Sequence, residues 1–165
     1  MKNMKNKIYF FEVDKADRKV VSKKYPSAKI FAEPFSKKLI KKCQDAEILC
    51  GMVHSDFSEK ALSKLPDLKL VVTRSAGYNH IDLKHLATRN ISACFVPEYG
   101  SHAIAEHVFA LLLASCRNVL EGEDRTEHDN FSWCGLKGLA LKNKTIGVIG
   151  TGRIGAQVCR IASDG

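Results

Sequence analysis

The sequence lacks a hydrophobic run that could cross a membrane as a helix. Such a helix needs roughly 18 successive apolar residues, and the longest candidate, Val108–Ala114, is much shorter. The N-terminal stretch MKNMKNKIYFF is basic but has neither the apolar core nor the small-residue cleavage site of a secretory signal. We therefore expect a cytoplasmic protein with no membrane partner.

Cysteine does not occur in a metal-binding pattern. None of the six cysteines forms a C-x-x-C pair. A chain that is 45% hydrophobic buries enough core to fold without disulfides. We expect reduced thiols at Cys43, Cys50, Cys94, Cys116, Cys134 and Cys159.

The net charge of +8 is not accompanied by other features of nucleic-acid binding. Basic residues concentrate near the N-terminus, as in Lys37, Lys38, Lys41 and Lys42. No aromatic–basic interleaving or zinc-finger spacing supports a nucleic-acid partner. We expect a solvated helix face instead.

Short β-rich runs alternate with helical patterns along the chain, which predicts an α/β fold with a parallel sheet and right-handed crossovers. The predicted strands are Ile8–Glu12, Lys29–Ala32, Ile48–Val53, Leu68–Thr73, Ile91–Phe95 and Thr145–Ile149. The shorter predicted helices are Ser36–Cys43, one that Ser58 caps, and Ile81–Ala87.

The longest helical pattern is Ser101–Leu120, with Ser101 as a candidate cap. It is apolar nearly all round, so we expect burial on most sides. The polar stretch Glu121–Trp133 predicts a loop. A domain boundary is expected near residues 97–101, where five β-rich units end.

A glycine-rich turn follows the last predicted strand. Gly150, Gly152 and Gly155 have G-x-G-x-x-G spacing and precede a helical pattern. In that context, the first glycine permits the tight turn, the second lets the backbone approach a pyrophosphate, and the third allows close helix–strand packing. The amides near Arg153 and Ile154 then face the phosphate.

Two further stretches carry candidate polar groups. The loop of residues 73–82 follows a predicted strand, so an anion could bind the amides of Ala76 and Gly77, although an ordinary turn is equally consistent with the spacing. His102, Glu106 and His107 do not form a metal motif, because the histidines are five apart rather than four. Glu106 and His107 are expected to be polar anchors in a buried helix, and no metal site is predicted.

Together, TRSAGYNHIDL, VPEYGSHAIAEHVFALLLASCRN and KTIGVIGTGRIG resemble the D-isomer-specific 2-hydroxyacid dehydrogenases in order and spacing. The D-lactate-dehydrogenase-like branch is nearest, because Tyr99 follows Val-Pro-Glu. The resemblance implies a flavodoxin-like substrate domain at residues 1–100. Residues 101–165 would then be a linking helix and the first β-α unit of a Rossmann dinucleotide-binding domain.

The resemblance also implies roles for residues of this chain. The Ala76 and Gly77 amides would bind the substrate carboxylate, and Tyr99 and Met52 would line the substrate pocket. Ile104 would lie near the nicotinamide. The residues that would hold the dinucleotide are Gly150, Gly152, Arg153, Ile154 and Gly155.

The implied reaction interconverts small 2-oxo acids and D-2-hydroxy acids with NAD, and the full-length protein would be a homodimer. NADP is not excluded, because the acidic residue that holds the ribose is expected about 20 residues beyond the turn and Asp164 comes too early.

No catalytic residue is expected within this chain. The family's catalytic Arg, Glu and His would lie beyond residue 165, and Arg74 and His80 do not correspond to them. We expect a truncated gene product that resembles the first half of the enzyme and is inactive alone.

Two alternatives remain open. The same scaffold could serve as a non-catalytic NAD(H)-sensing module, as in C-terminal-binding-protein co-repressors. A receiver-like domain would need an acidic pair after the first strand, which Glu12 and Asp14 loosely offer. It would also need an Asp closing the third strand, and residues 51–54 have none.

Overall fold

The structure is a computed structural model that describes residues 7–164. Residues 1–6 and Gly165, at the ends of the two predicted domains, lie outside the described residues. The chain divides into two compact units between Pro97 and Glu98, and the sequence analysis expected a boundary near residues 97–101. The functions assigned to the two domains stay predictions.

A five-stranded parallel sheet with the order β2-β1-β3-β4-β5 forms the first unit. This is the flavodoxin-like strand order, so the predicted α/β fold is confirmed. The elements are β1 (Ile8–Phe10), α1 (Lys15–Lys24), β2 (Lys29–Ile30), a 3₁₀ helix (Ile40–Lys42), β3 (Ile48–Gly51), α2 (Glu59–Leu62), β4 (Leu70–Thr73), α3 (Leu83–Thr88) and β5 (Ser92–Cys94).

The register aligns the strands so that their carboxyl ends meet at one edge of the sheet. Tyr9 in β1 pairs with Lys29 in β2 and with Leu49 in β3. Leu49 pairs in turn with Val71 in β4. Because all pairs are parallel, the segments after β1, β3 and β4 emerge side by side, where ligands bind in α/β sheets.

The main core lies against one face of this sheet. Phe11, Phe35 and Phe57 are fully buried and form a chain of ring contacts, with centroids 5.1 Å and 6.0 Å apart. Leu49 and Val71 contribute the sheet side of the cluster. Burial of each large side chain contributes roughly 1.5–3 kcal/mol, so this cluster fixes the strand ends that carry the candidate site.

The strand prediction Thr145–Ile149 is wrong for the described structure. The segment forms no ladder, and Ile149 is fully exposed. A strand needs a neighbour to accept and donate its backbone hydrogen bonds, and no described strand lies beside it. The five earlier strand predictions are each confirmed in place, although each strand is shorter than predicted.

Helix α1 was missed by sequence analysis, because it buries no residue and only Val21 is half-buried. Its N-cap is Asp14, whose carboxylate accepts from Asp17 N at 2.7 Å. Conversely, the predicted helix Ser36–Cys43 is only a 3₁₀ helix at Ile40–Lys42. Ser58 occupies the N-cap position of α2, but its side chain makes no capping hydrogen bond.

The second unit contains α4 (Ser101–Cys116), α5 (Val119–Glu127) and α6 (Arg153–Asp164). Helix α4 begins after Gly100, so Ser101 is its first residue rather than its cap. The loop predicted at Glu121–Trp133 is wrong over residues 121–127, which belong to α5. Its spacing of charges favours a helix, since Arg125 pairs with Glu121 at 2.8 Å, four residues away.

The expected burial of α4 is also wrong for the described residues. Only Ala105 is buried, whereas Leu111, Leu113, Glu106 and His107 are exposed. Within this unit, α4 packs chiefly against α6 and α5, and two helices cannot cover every side of a third.

By length and composition, no single helix within residues 7–164 could span a membrane, whereas α4 and α5 could do so only as a pair bent by 63°.

Candidate functional site

Two exposed backbone amides mark the loop after β4. Ala76 and Gly77 are exposed, and their N–H groups donate no hydrogen bond within residues 7–164. The turn is shaped from within, because Ser75 Oγ lies 2.6 Å from Thr73 Oγ1 and donates to Gly77 O at 2.7 Å. Adjacent unpaired N–H groups in a turn can bind an anion such as a carboxylate.

Met52 begins the neighbouring loop, directly after β3. Its side chain is half-buried, and its N–H donates to a Glu12 carboxylate oxygen at 2.8 Å. Gly51 precedes it at a crowded point, where a Cβ would lie 2.6 Å from Ser55 Oγ. Met52, Ala76 and Gly77 therefore follow neighbouring strands at the same edge of the sheet.

Arg74 and His80 are held in structural positions. The Arg74 guanidinium donates to Phe11 O at 3.1 Å and to Glu12 O at 2.6 Å. The His80 ring lies 5.8 Å from the Phe57 ring, and its Nε2 is buried without a partner among the described residues. Burial lowers the pKa of His80, against the opposing charge of Glu12, so the ring favours its neutral form.

The two buried cysteines have thiols with raised pKa values. Burial raises the pKa of Cys43 to about 11, and it also raises the pKa of Cys50 despite the nearby Arg74 guanidinium. A thiolate is the reactive form, so both remain protonated near neutral pH. All six cysteines carry free thiols. No described group of three or more His, Cys, Asp or Glu residues is arranged to hold a metal ion.

In the second unit, the glycine-rich turn has the geometry that a phosphate-binding turn needs. Gly150 adopts φ +87°, which L-residues rarely adopt. A Cβ on Gly155 would collide with Gly150 O, whereas a Cβ on Gly152 would meet no atom within 4 Å. Gly155 therefore permits close packing, and Gly152 leaves open space beside the backbone.

A cleft of about 530 Å³ adjoins this turn. Its lining includes Ser101, Gly152, Arg153 and Arg160. Arg153 begins α6, whose first N–H groups have no intrahelical acceptor. Two guanidinium groups and a helix N-terminus suit a phosphate, so these residues fit the pyrophosphate of a dinucleotide.

Glu98 is the acidic residue of this cleft. Its carboxylate pairs with the Arg153 guanidinium at 3.2 Å, and both side chains are largely exposed. An exposed pair of this kind contributes at most about 1 kcal/mol. A bound phosphate can therefore displace Glu98 from Arg153 at little cost.

The predicted site residues divide between the two units. Met52, Ala76 and Gly77 belong to the first unit, whereas Tyr99, Ile104 and the glycine turn belong to the second. Tyr99 is 68% exposed and Ile104 is 47% exposed. Of the predicted cofactor residues, Gly152 and Arg153 line the cleft. The binding roles of all these residues stay predictions.

Sequence reasoning missed the connections made by Glu12. Its carboxylate reaches residues 52–55, about 40 positions along the chain. The available signal was an acidic residue directly after the apolar run Ile8–Phe11, at a strand end where functional groups concentrate.

Comparison with known proteins gives one consistent result. The model of the family described as D-isomer specific 2-hydroxyacid dehydrogenase, catalytic domain, matches residues 8–157. A 2-hydroxyacid dehydrogenase homolog from Haemophilus influenzae is 35% identical over 161 residues, which cover 94% of this chain and 49% of the relative. D-lactate dehydrogenase from Escherichia coli is 34% identical over 128 residues, which cover 76% of this chain and 39% of the relative.

Solved structures agree with the sequence relatives. The crystal structure of D-lactate dehydrogenase from Aquifex aeolicus, complexed with NAD and lactic acid, has a TM-score of 0.88 at 34% identity. That match covers 95% of this chain and 48% of the other. The chain thus spans half or less of the length of these relatives.

Proposed function

Because the chain belongs to the D-isomer specific 2-hydroxyacid dehydrogenase family, we propose that the protein is an NAD-dependent oxidoreductase. It interconverts small 2-oxo acids and D-2-hydroxy acids, as in the D-lactate-dehydrogenase-like branch. The observation that carries this proposal is the pair of unpaired, exposed amides at Ala76 and Gly77. They lie at the carboxyl edge of a parallel sheet and suit a substrate carboxylate.

The substrate carboxylate accepts hydrogen bonds from the Ala76 and Gly77 amides. Met52 supplies an apolar side chain on the adjacent loop. Charge-assisted hydrogen bonds to backbone N–H groups are stronger than neutral ones, so two of them hold the acid in a fixed orientation.

The dinucleotide binds at the turn Gly150–Gly155. Gly152, Arg153 and the α6 N-terminus would hold its pyrophosphate, and Ile104 would contact the nicotinamide. When bound, NAD supplies the hydride acceptor, and the chain's own residues bind and orient it. The Aquifex aeolicus relative complexed with NAD supports this choice. NADP is not excluded, because the acidic residue that selects between the two dinucleotides does not belong to the glycine turn.

Residues 1–165 alone are proposed to be inactive. The Arg, Glu and His near the substrate amides are otherwise engaged: Arg74 is bonded to backbone carbonyls, Glu12 accepts three hydrogen bonds, and burial lowers the pKa of His80. A proton donor is needed to convert a 2-oxo acid to its alcohol. The chain should therefore bind ligands without turnover.

A protein of the relatives' length that contains this chain is proposed to be a homodimer. Exposed apolar side chains on α4, including Val108, Leu111 and Leu113, support an association surface. Sedimentation equilibrium on the longer protein tests this proposal. A mass equal to one chain across the micromolar range would rule out the dimer.

The central test is NADH and pyruvate binding by the purified chain. Saturable binding of both, with pyruvate at the first unit and NADH at the second, is the expected result. Absence of pyruvate binding by the wild-type chain would count against the substrate site, and absence of NADH binding would count against the cofactor site.

A further inference from the structure

Glu12 has an unusual backbone conformation directly after β1. Its φ is +54°, in the left-handed region that favours glycine. A non-glycine residue there costs roughly 1–2 kcal/mol and persists only where surrounding contacts hold it. Those contacts identify what the residue does.

The Glu12 carboxylate holds the loop after β3. It accepts from Met52 N at 2.8 Å, from His54 N at 3.1 Å and from Ser55 Oγ at 2.6 Å. Ser55 is buried and also accepts from Phe35 N at 3.0 Å. The carboxylate therefore replaces water as the acceptor for three donors of a single loop.

The Glu12 backbone holds the loop after β4. Its carbonyl accepts from the Arg74 guanidinium at 2.6 Å, and the adjacent Phe11 carbonyl accepts from the same group at 3.1 Å. Arg74 N donates to Gly51 O at 2.9 Å. Ala76 follows Arg74 by two residues, so the hydrogen bonds between Glu12 and Arg74 hold the chain directly before the two unpaired amides.

We propose that Glu12 is a positioning residue for the substrate site. Its carboxylate fixes the Met52 loop, and its carbonyl fixes the Ala76–Gly77 loop through Arg74. This inference rests on the proposed function, because it assigns a purpose to the two loops. Glu12 is not a catalytic residue, since its carboxylate oxygens are occupied by Met52, His54 and Ser55.

The test variant is Glu12→Gln in the complete 165-residue chain. Glutamine has nearly the same size, but its amide nitrogen cannot accept a hydrogen bond, so at least one donor of the Met52 loop loses its partner. We expect faster hydrogen exchange at the Met52 and His54 amides. We also expect pyruvate affinity, measured from Ala76 and Gly77 amide shifts, to weaken about tenfold.

Two controls separate positioning from folding stability. Glu33→Gln makes the same chemical change on an exposed side chain that has no hydrogen bond among residues 7–164. Asp45→Asn removes a charged partner of Lys7 at the opposite, amino-terminal edge of the sheet. Asp45→Asn should lower stability without changing pyruvate affinity, and Glu33→Gln should change neither.

The outcomes are distinct. Weaker pyruvate binding in Glu12→Gln alone, with unchanged NADH binding at the glycine turn, supports positioning. Two results would overturn the positioning role while leaving the proposed function intact. One is an equal loss of pyruvate affinity in Glu12→Gln and Asp45→Asn, and the other is an unchanged pyruvate affinity in Glu12→Gln. A wild-type chain that binds no pyruvate would overturn the proposed substrate site and the inference with it.

Discussion

At the scale of single residues, Gly152 is the most direct determinant of the proposed cofactor site. It leaves open space where a Cβ would stand. We predict that Gly152→Val weakens NADH binding at least tenfold, because the side chain would occupy the space beside the backbone that the pyrophosphate needs. NADH fluorescence titration measures the effect.

Gly147→Ala is the matched control for that variant. Gly147 also has open space around its Cβ position and does not have a positive φ. NADH affinity should stay at the wild-type value. Equal affinities for wild type and Gly152→Val would place the dinucleotide elsewhere.

A second residue-scale prediction concerns Asp45. Hydrogen bonds from Tyr9 and Lys7 hold its pKa at about 2, below the ordinary 3.8. A lowered carboxyl pKa stabilises the fold fully above 3.8, and this contribution is lost as the pH falls toward 2. Because the side chain is 43% exposed, the contribution is at most about 1 kcal/mol.

Urea unfolding at several pH values between 5 and 2 measures this contribution. Asp45→Asn should have a lower free energy of unfolding than wild type near pH 5. Near pH 2 the free energies of unfolding of the two proteins should converge. A constant difference between the two proteins across that range would show that the Asp45 charge is not responsible.

At the scale of secondary structure, α1 depends on its N-cap because it buries no residue. Asp14→Ala removes the acceptor of Asp17 N and should destabilise α1 by about 1 kcal/mol. Hydrogen exchange of the Arg18–Lys24 amides should accelerate, while the β3 and β4 amides keep their protection. Lys19→Ala, on the same exposed helix, should leave exchange unchanged, and a similar acceleration there would argue against capping.

Sequence patterns predict the elements whose own residues determine them. Ile48–Gly51 and Leu70–Thr73 are buried parallel strands, so each reads as a continuous apolar run. Helix α1 has no apolar stripe, and its signal lies only in the Asp14 cap. Thr145–Ile149 has a strand composition, yet pairing requires a neighbour that sequence periodicity does not report.

In the candidate site, too, sequence patterns predict only the features that neighbouring residues determine. The glycine spacing at 150–155 is local, so the turn could be predicted, as could the loop that carries Ala76 and Gly77. The role of Glu12 could not, because it depends on a positive φ and on partners about 40 residues away. Such contacts arise from strand order rather than from local pattern.

At the scale of the whole molecule, the family membership inferred from three motifs is confirmed by the family match over residues 8–157. We predict that the purified chain shows no pyruvate-dependent NADH oxidation above a blank, because Arg74 is bonded to backbone carbonyls and burial lowers the pKa of His80, which favours its neutral form. Absorbance at the NADH band over hours measures this. Turnover that persists after repurification would contradict the prediction that this chain contains no catalytic residue.

The most direct test of the two proposed binding sites is an amide-resolved NMR titration of the isotopically labelled chain, first with pyruvate and then with NADH. We expect pyruvate to shift the Ala76 and Gly77 amide signals and NADH to shift those of Gly152 and Arg153. Shifts confined to other residues, or no saturable shift with either ligand, would contradict the claim that these two backbone sites bind a 2-oxo acid and a dinucleotide.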